Sequence, residues 1–309
     1  MWGGKKKRTI LCDCAVTVLL SSQESEPIMI RINLTLAIRA AHRTQNRCYS
    51  RASSKRWLDR QKQDFYTRES KLDNLRSRAG FKLAQLDDVY HVFHKSVPQR
   101  ILDLGYAPGA WSQVARKRTH PDSIVLGVDI LPCDPPFGVS SMQANILSKR
   151  THQLIRQFFM EQIFMNDSQV ESMARNDSDT EQQPQFPVNI ILSDMYEPFP
   201  QLSPSLNNLT NMPYYRMSNT SGLNFKDHLN SIDLCDAALI TAVDLLEPAG
   251  SFICKQFSGA ETNLFEKRMK KVFDRVEITK PSASRDESKE IYFIGKKKKK
   301  NVDKLDVFC

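Results

Sequence analysis

Two apolar rhythms alternate along this chain. Short apolar runs at 101–104, 123–131, 139–146, 188–195 and 251–257 predict strands. Helical spacing falls between them, at 109–118, 147–164, 226–246 and 263–273. The clearest case is 147–164, where Leu154, Ile155, Phe158, Phe159 and Ile163 repeat on one side. Two further strand-like runs follow at 276–279 and 290–295. Strands alternating with helices predict an α/β fold built on a mostly parallel sheet with helices on both faces.

Two stretches interrupt the alternation. Residues 165–187 hold five acids, one arginine and many Ser, Asn and Gln, which predicts a surface insertion with no core of its own. Residues 203–221 are polar and punctuated by proline. They predict a long loop over the C-terminal edge of the sheet, where open α/β sheets bind ligands.

Charge changes the picture at both ends. The net charge is +9, and residues 51–82 hold ten Lys or Arg against four Asp or Glu. A basic segment running directly into the folded part favours a polyanionic partner, most simply nucleic acid. Five consecutive lysines at 296–300 read as the start of a solvated basic tail, 298–309. Between Met29 and Trp57 there is no acid, while Arg31, Arg39, Arg43, Arg47, Arg51, Lys55 and Arg56 are spread among Ile, Leu, Ala, Ser and Thr. Residues 1–49 therefore have the features of a mitochondrial transit peptide. Arg47-Cys48-Tyr49-Ser50 resembles a processing signal that would leave Ser50 at the mature end. Asp13, Glu24 and Glu26 break the pattern, so Met29 is a second candidate start. The alternative is a disordered basic arm on a cytosolic or nucleolar protein. The folded domain is then expected over 50–297, with 50–82 as its RNA-contacting lead.

The seven cysteines are scattered and form no paired CxxC, which argues for free thiols in a reducing compartment and against a metal site. No run approaches the ~20 apolar residues of a membrane helix.

The strongest local motif is Ile-Leu-Asp-Leu-Gly-Tyr-Ala-Pro-Gly-Ala-Trp-Ser-Gln at 101–113. A buried strand ends at Gly105, and Pro108 and Gly109 carry the chain into a helix. Glycines admit a ligand close to the backbone, and the helix start offers unpaired amides. Gly105 and Gly109 do not make the GxGxxG spacing of a dinucleotide site. A cationic sulfonium nucleoside fits better, with Asp129 at the end of the next strand accepting from ribose hydroxyls.

Asp103 to Gln113, Gly-Val-Asp-Ile-Leu-Pro-Cys-Asp-Pro at 127–135, and Leu-Arg-Ser-Arg-Ala-Gly-Phe-Lys-Leu at 75–83 resemble the FtsJ/RrmJ family of RNA ribose 2′-O-methyltransferases. So do Leu-Ser-Asp-Met at 192–195, Gly-Ser-Phe-Ile-Cys-Lys-Gln-Phe at 250–257, and Lys280-Pro281 through Tyr292. The resemblance spans roughly 53–297 outside the acidic insertion. It implies a Rossmann-like class I fold with a seven-stranded sheet and S-adenosyl-L-methionine as cofactor. It further implies that Gly109, Trp111, Asp129, Asn145 and Asp194 line the cofactor pocket. Asn145 stands where the family usually has Asp and keeps an acceptor oxygen without the charge. Tyr106 and Ala110 also depart from the family turn, and Tyr196-Glu197 replaces a usual Ala-Pro.

The same resemblance assigns catalysis to Lys82, Asp194, Lys255 and Glu290. Methyl transfer to a hydroxyl is an in-line displacement, in which positioning supplies ~7–11 kcal/mol and a general base a further ~10²–10⁴-fold. Two roles are open for Lys255. As a base it must become neutral near pH 7, which costs ~3 pKa units or ~4 kcal/mol from an ordinary lysine. As an ammonium it would stabilise the developing alkoxide. A structural ion pair with Asp194 is the plain alternative to both.

The lead segment at 53–58 followed by 75–82 resembles the large-subunit rRNA branch more than the tRNA branch, with 53–63 as a helical brace on RNA phosphates. With the acid-poor leader, the resemblance implies the mitochondrial branch. A uridine in large-subunit rRNA, free or in an assembling ribosomal subunit of the matrix, is then the expected target. A tRNA or nucleolar rRNA methyltransferase of the same fold, or a non-catalytic RNA-binding assembly factor, are the competing readings.

Overall fold

The structure, a computed structural model, describes residues 63–171, 186–197 and 223–308. All lie in one compact unit, Asp59–Cys309. The transit-peptide expectation for 1–49, the basic helix at 53–62 and the loop at 203–221 fall outside the described residues.

The chain enters through α1 (Phe65–Leu72) and α2 (Ala79–Tyr90), then reaches β1 (Arg100–Leu104), α3 (Ala110–Arg118), β2 (Ile124–Asp129) and β3 (Ser140–Gln143). Next come α4 (Lys149–Glu171), β4 (Val188–Ser193), α5 (Asn224–Leu245) and β5 (Leu246–Phe257). The last elements are α6 (Thr262–Val272), β6 (Phe273–Thr279), β7 (Glu290–Lys298) and α7 (Lys304–Phe308). The seven strands are ordered β3-β2-β1-β4-β5-β7-β6. The first five pair in parallel, and β7 inserts antiparallel between β5 and β6. The expected mostly parallel α/β sheet with helices on both faces is the observed one.

Alternation of side chains along each strand splits the core in two. Ile101, Val125, Ile190, Leu192, Ile253, Tyr292 and Ile294 pack beneath α2 and α3, against Leu83, Leu86, Trp111 and Val114. Leu102, Leu126, Val128, Ile191, Phe252 and Phe293 pack against Ile155, Phe159, Leu239, Phe265 and Met269 of α4, α5 and α6. This two-sided burial explains why the strands read as continuous apolar runs.

Three boundaries differ from the sequence reading. Helix α4 continues through Glu171, and Phe186 and Pro187 are partly or fully buried, so both ends of the insertion expected over 165–187 belong to the fold, while 172–185 lie outside the described residues. Strand β5 begins at Leu246 because Leu246 pairs with Val188. The largest correction concerns the lysine run, which is no solvated tail. Strand β7 extends to Lys298, and α7 follows with Val307 buried.

The run works as a clamp on helix ends. Lys296 Nζ donates to the Tyr90 carbonyl at the end of α2. Lys298 Nζ donates to Val243 O (2.8 Å) and Leu246 O (2.6 Å) at the end of α5. Lys299 Nζ donates to Lys270 O (2.7 Å) in the last turn of α6. The last carbonyls of a helix have no internal donor and carry partial negative charge, which is what an ammonium satisfies. Lys298 is only 3% exposed and lies over the Phe186 ring at 4.1 Å. Burial pushes its amine down to about 8, with nearby Asp244 opposing.

At the other end, Asp64 caps α1 by accepting from Thr67 N (3.1 Å). It also pairs with Arg78 and Arg285, tying α1 to the entrance of α2 and to the β6–β7 loop. Burial acts to raise the Asp64 carboxyl, but the Arg285 and Thr67 hydrogen bonds and the two guanidinium charges outweigh it and hold the carboxyl below its usual range.

Candidate active site

Parallel pairing brings the C-terminal ends of β1, β2, β4 and β5 to one edge. Ser193 is opposite Cys254, so Asp194 emerges beside Lys255. Across the antiparallel pair Lys255 faces Tyr292, and Phe257 faces Glu290. Lys82 reaches the same face from the first turn of α2.

Two ion pairs result. Lys255 Nζ lies 2.6 Å from Asp194 Oδ1 and donates to the Asp194 carbonyl at 3.0 Å. Lys82 Nζ lies 2.7 Å from Glu290 Oε1 and 2.8 Å from Oε2. The pairs are neighbours, because the Lys255 charge acts on Glu290. Burial is the largest influence on Glu290 and would raise its pKa, but Lys82, Lys255 and Ser284 together hold the carboxylate below its usual range. All four side chains keep only 9–20% of their surface exposed. The chain thus assembles two amines and two carboxylates from α2, β4, β5 and β7, where partly buried charges require partners.

Beside them lies a backbone cradle. Gly105 N donates to Val128 O (2.8 Å) and Asp194 N to Leu104 O (3.3 Å), fixing the turn after β1. Asp129 receives Ala107 N (3.1 Å) and Leu131 N (2.9 Å), locking that turn to the loop after β2. Gly105 has φ +71°, and a Cβ there would lie 2.7 Å from the Met195 side chain. Gly109 caps α3 at φ +105°, with Pro136 2.8 Å from where a Cβ would stand. Arg76 closes the rim by donating to Pro108 O (2.9 Å), Asp134 O and Pro135 O (3.1 Å).

The electrostatics of the cradle ask for a cation. Asp103 is fully buried, and its Oδ2 accepts from Ser112 Oγ at 2.5 Å. Its Oδ1 has no hydrogen-bond partner among the described residues. Burial, reinforced by the charges of Asp194 and Asp129, raises its pKa from 3.8 to about 7 against the Ser112 hydrogen bonds. Three carboxylates therefore repel one another beside the first amides of α3. That donor set fits S-adenosylmethionine: anions for its ammonium and sulfonium, helix amides for its carboxylate, Asp129 for its ribose.

Two predicted pocket residues sit differently. The Trp111 side chain is 2% exposed, donates from Nε1 to Ala79 O (2.9 Å) and packs toward Tyr292 in the core. Only its backbone amide, in the first turn of α3, is left to face a ligand. Asn145 is exposed beyond β3, and its Oδ1 accepts from Leu147 N (3.0 Å), shaping the entry to α4. Sequence reasoning passed over Asp103 and Arg76. For Asp103 the signal was a lone acid inside the apolar run Ile-Leu-Asp-Leu.

A family model described as FtsJ-like methyltransferase matches residues 75–298, and the chain belongs to that family. Among its relatives, the mitochondrial rRNA methyltransferase 2 of Saccharomyces cerevisiae is 54% identical, over 84% of this chain and 92% of that protein. The protein of the same name in Schizosaccharomyces pombe is 32% identical, over 77% and 93%. Ribosomal RNA large subunit methyltransferase E of Thiobacillus denitrificans is 31% identical, over 79% and 90%. A solved Plasmodium falciparum structure assigned as a ribosomal RNA methyltransferase superposes with a TM-score of 0.50 at 27% identity, covering 73% of this chain and all of that one.

Proposed function

We propose that this chain methylates a ribose 2′-hydroxyl of large-subunit rRNA in the mitochondrial matrix, with S-adenosylmethionine as donor and a uridine as target. The observation that carries this reading is the convergence of the Lys255–Asp194 and Lys82–Glu290 pairs beside an anionic cradle at one sheet edge. The names of the relatives support the rRNA substrate and the mitochondrial setting.

When bound, the donor supplies a methyl on a sulfonium, already joined to a good leaving group. The residues must then align the hydroxyl, take its proton and exclude water. Lys255 Nζ donates one hydrogen bond to the Asp194 carbonyl and lies 2.6 Å from its carboxylate, so Asp194 holds the amine by a hydrogen bond and by charge. The amine would then meet the hydroxyl with a lone pair if neutral or as a donor if charged. Asp194 thereby fixes the direction from which the 2′-oxygen is approached. Glu290 holds Lys82 in place, leaving a cation close to the oxygen that loses its proton. The basic lead segment would grip backbone phosphates.

Mapping 2′-O-methyl marks in mitochondrial and cytosolic RNA after gene deletion tests the substrate. Loss of a mark in mitochondrial large-subunit rRNA is expected, and loss confined to tRNA or cytosolic rRNA overturns the assignment. Single-turnover pH–rate profiles of Lys255→Arg test the chemistry. The base role predicts a loss of at least ~10²-fold, and near-native rates refute it.

A further inference from the structure

Tyr196 stands two residues after Asp194. Its hydroxyl donates to Asp227 Oδ1 (3.0 Å) on the first turn of α5, and Asp227 is 4% exposed. Its ring meets the Phe257 ring edge to face, with centroids 5.7 Å apart at 78°. Lys255 Nζ lies 6.0 Å from the Tyr196 centroid and 5.9 Å from that of Phe257. The two rings form a corner around the amine. Phe257 is 7% exposed and backs the corner, whereas Tyr196 is half-buried.

Resting on the reading of this edge as an RNA ribose site, we propose that Tyr196 is a positioning residue. The base of the target nucleotide stacks on its ring and so delivers the 2′-oxygen to Lys255. The dimensions agree. A hydroxyl within ~2.9 Å of Nζ leaves its attached base a few ångströms away, and a ring 6.0 Å from Nζ stands at stacking reach of it. Every base has a π-face, and RNA modules that read splayed nucleotides use aromatic side chains in this way. The Asp227 anchor holds the ring still, so the stacked base sets a definite distance.

The test uses the full chain with unmethylated mitochondrial large-subunit particles from deletion cells. Tyr196→Ala and Tyr196→Leu are each expected to raise KM for the particle about 5- to 150-fold, the range that base stacking supplies. Tyr196→Phe and Tyr196→Trp keep an aromatic face but lose the tyrosine hydroxyl that bonds Asp227, so both should raise KM less than Tyr196→Ala and Tyr196→Leu do. Donor affinity, followed by calorimetry, should be unchanged in all four. Rescue by Leu would show simple packing and overturn the proposal, as would an unchanged KM in Tyr196→Ala or a loss confined to donor binding. Lys255→Ala run alongside separates the two levels, since full activity there sinks the reading of the site rather than the role of Tyr196.

Discussion

Asp103→Asn isolates the charge strain in the cofactor cradle. The native carboxyl is fully buried with one oxygen unpartnered, and its pKa rises from 3.8 to about 7. The difference is about 3 units, so keeping the group ionised in the folded state costs on the order of 4 kcal/mol at most. Because the folded pKa is the higher one, the folded state binds more protons between the two values, and stability falls as pH rises through that window. The amide mimics the protonated acid, still accepts from Ser112, and does not titrate. Asp103→Asn should therefore gain on the native chain by about 2–3 kcal/mol between pH 5 and pH 8, with little further gain above pH 8. Urea denaturation of both proteins at pH 5, 6.5 and 8, without donor, reads this directly. A stability difference that stays flat with pH would refute the buried-charge account. Saturating S-adenosylmethionine should shrink the gain at pH 8, since a cation in the cradle favours the native carboxylate and the amide offers it less.

Two further outcomes follow from the packing. Lys298→Ala strips the donor from the buried Val243 and Leu246 carbonyls and should cost about 2–4 kcal/mol in urea denaturation. Lys300→Ala, at an exposed position of the same run, should stay within about 0.5 kcal/mol, and equal effects would show that the clamp is not structural. Arg76→Ala releases the rim between Pro108 and the 134–135 backbone and should weaken donor binding about tenfold by calorimetry while leaving particle KM unchanged. A KM effect without a donor effect would move Arg76 from the cofactor rim to the RNA surface.

The α/β alternation was readable because the central strands β1, β2, β4, β5 and β7 are largely buried on both faces, and periodicity reports that directly. The turn at 105–109 was readable for a local reason: two positive-φ glycines flank a proline within five residues. Asp194 and Lys255 were legible through the motifs at 192–195 and 250–257 that carry the family resemblance. The lysine run was misread because composition scores five ammonium groups as solvated. Three of them, Lys296, Lys298 and Lys299, have helix-end acceptors that lie 29 to 206 positions away in sequence.

By itself, then, the sequence determined which segments are strands and helices and which motifs carry the family resemblance. These are properties of neighbours along the chain, set by the repeat of each element and by φ. The three-dimensional arrangement alone decided that Lys255 pairs with Asp194 and Lys82 with Glu290, that β7 runs antiparallel, that the Trp111 ring turns inward, and that Asp103 is held near neutrality. Each of these depends on through-space distance and on how much water is excluded between residues brought together from far apart, and neither quantity is written in local order.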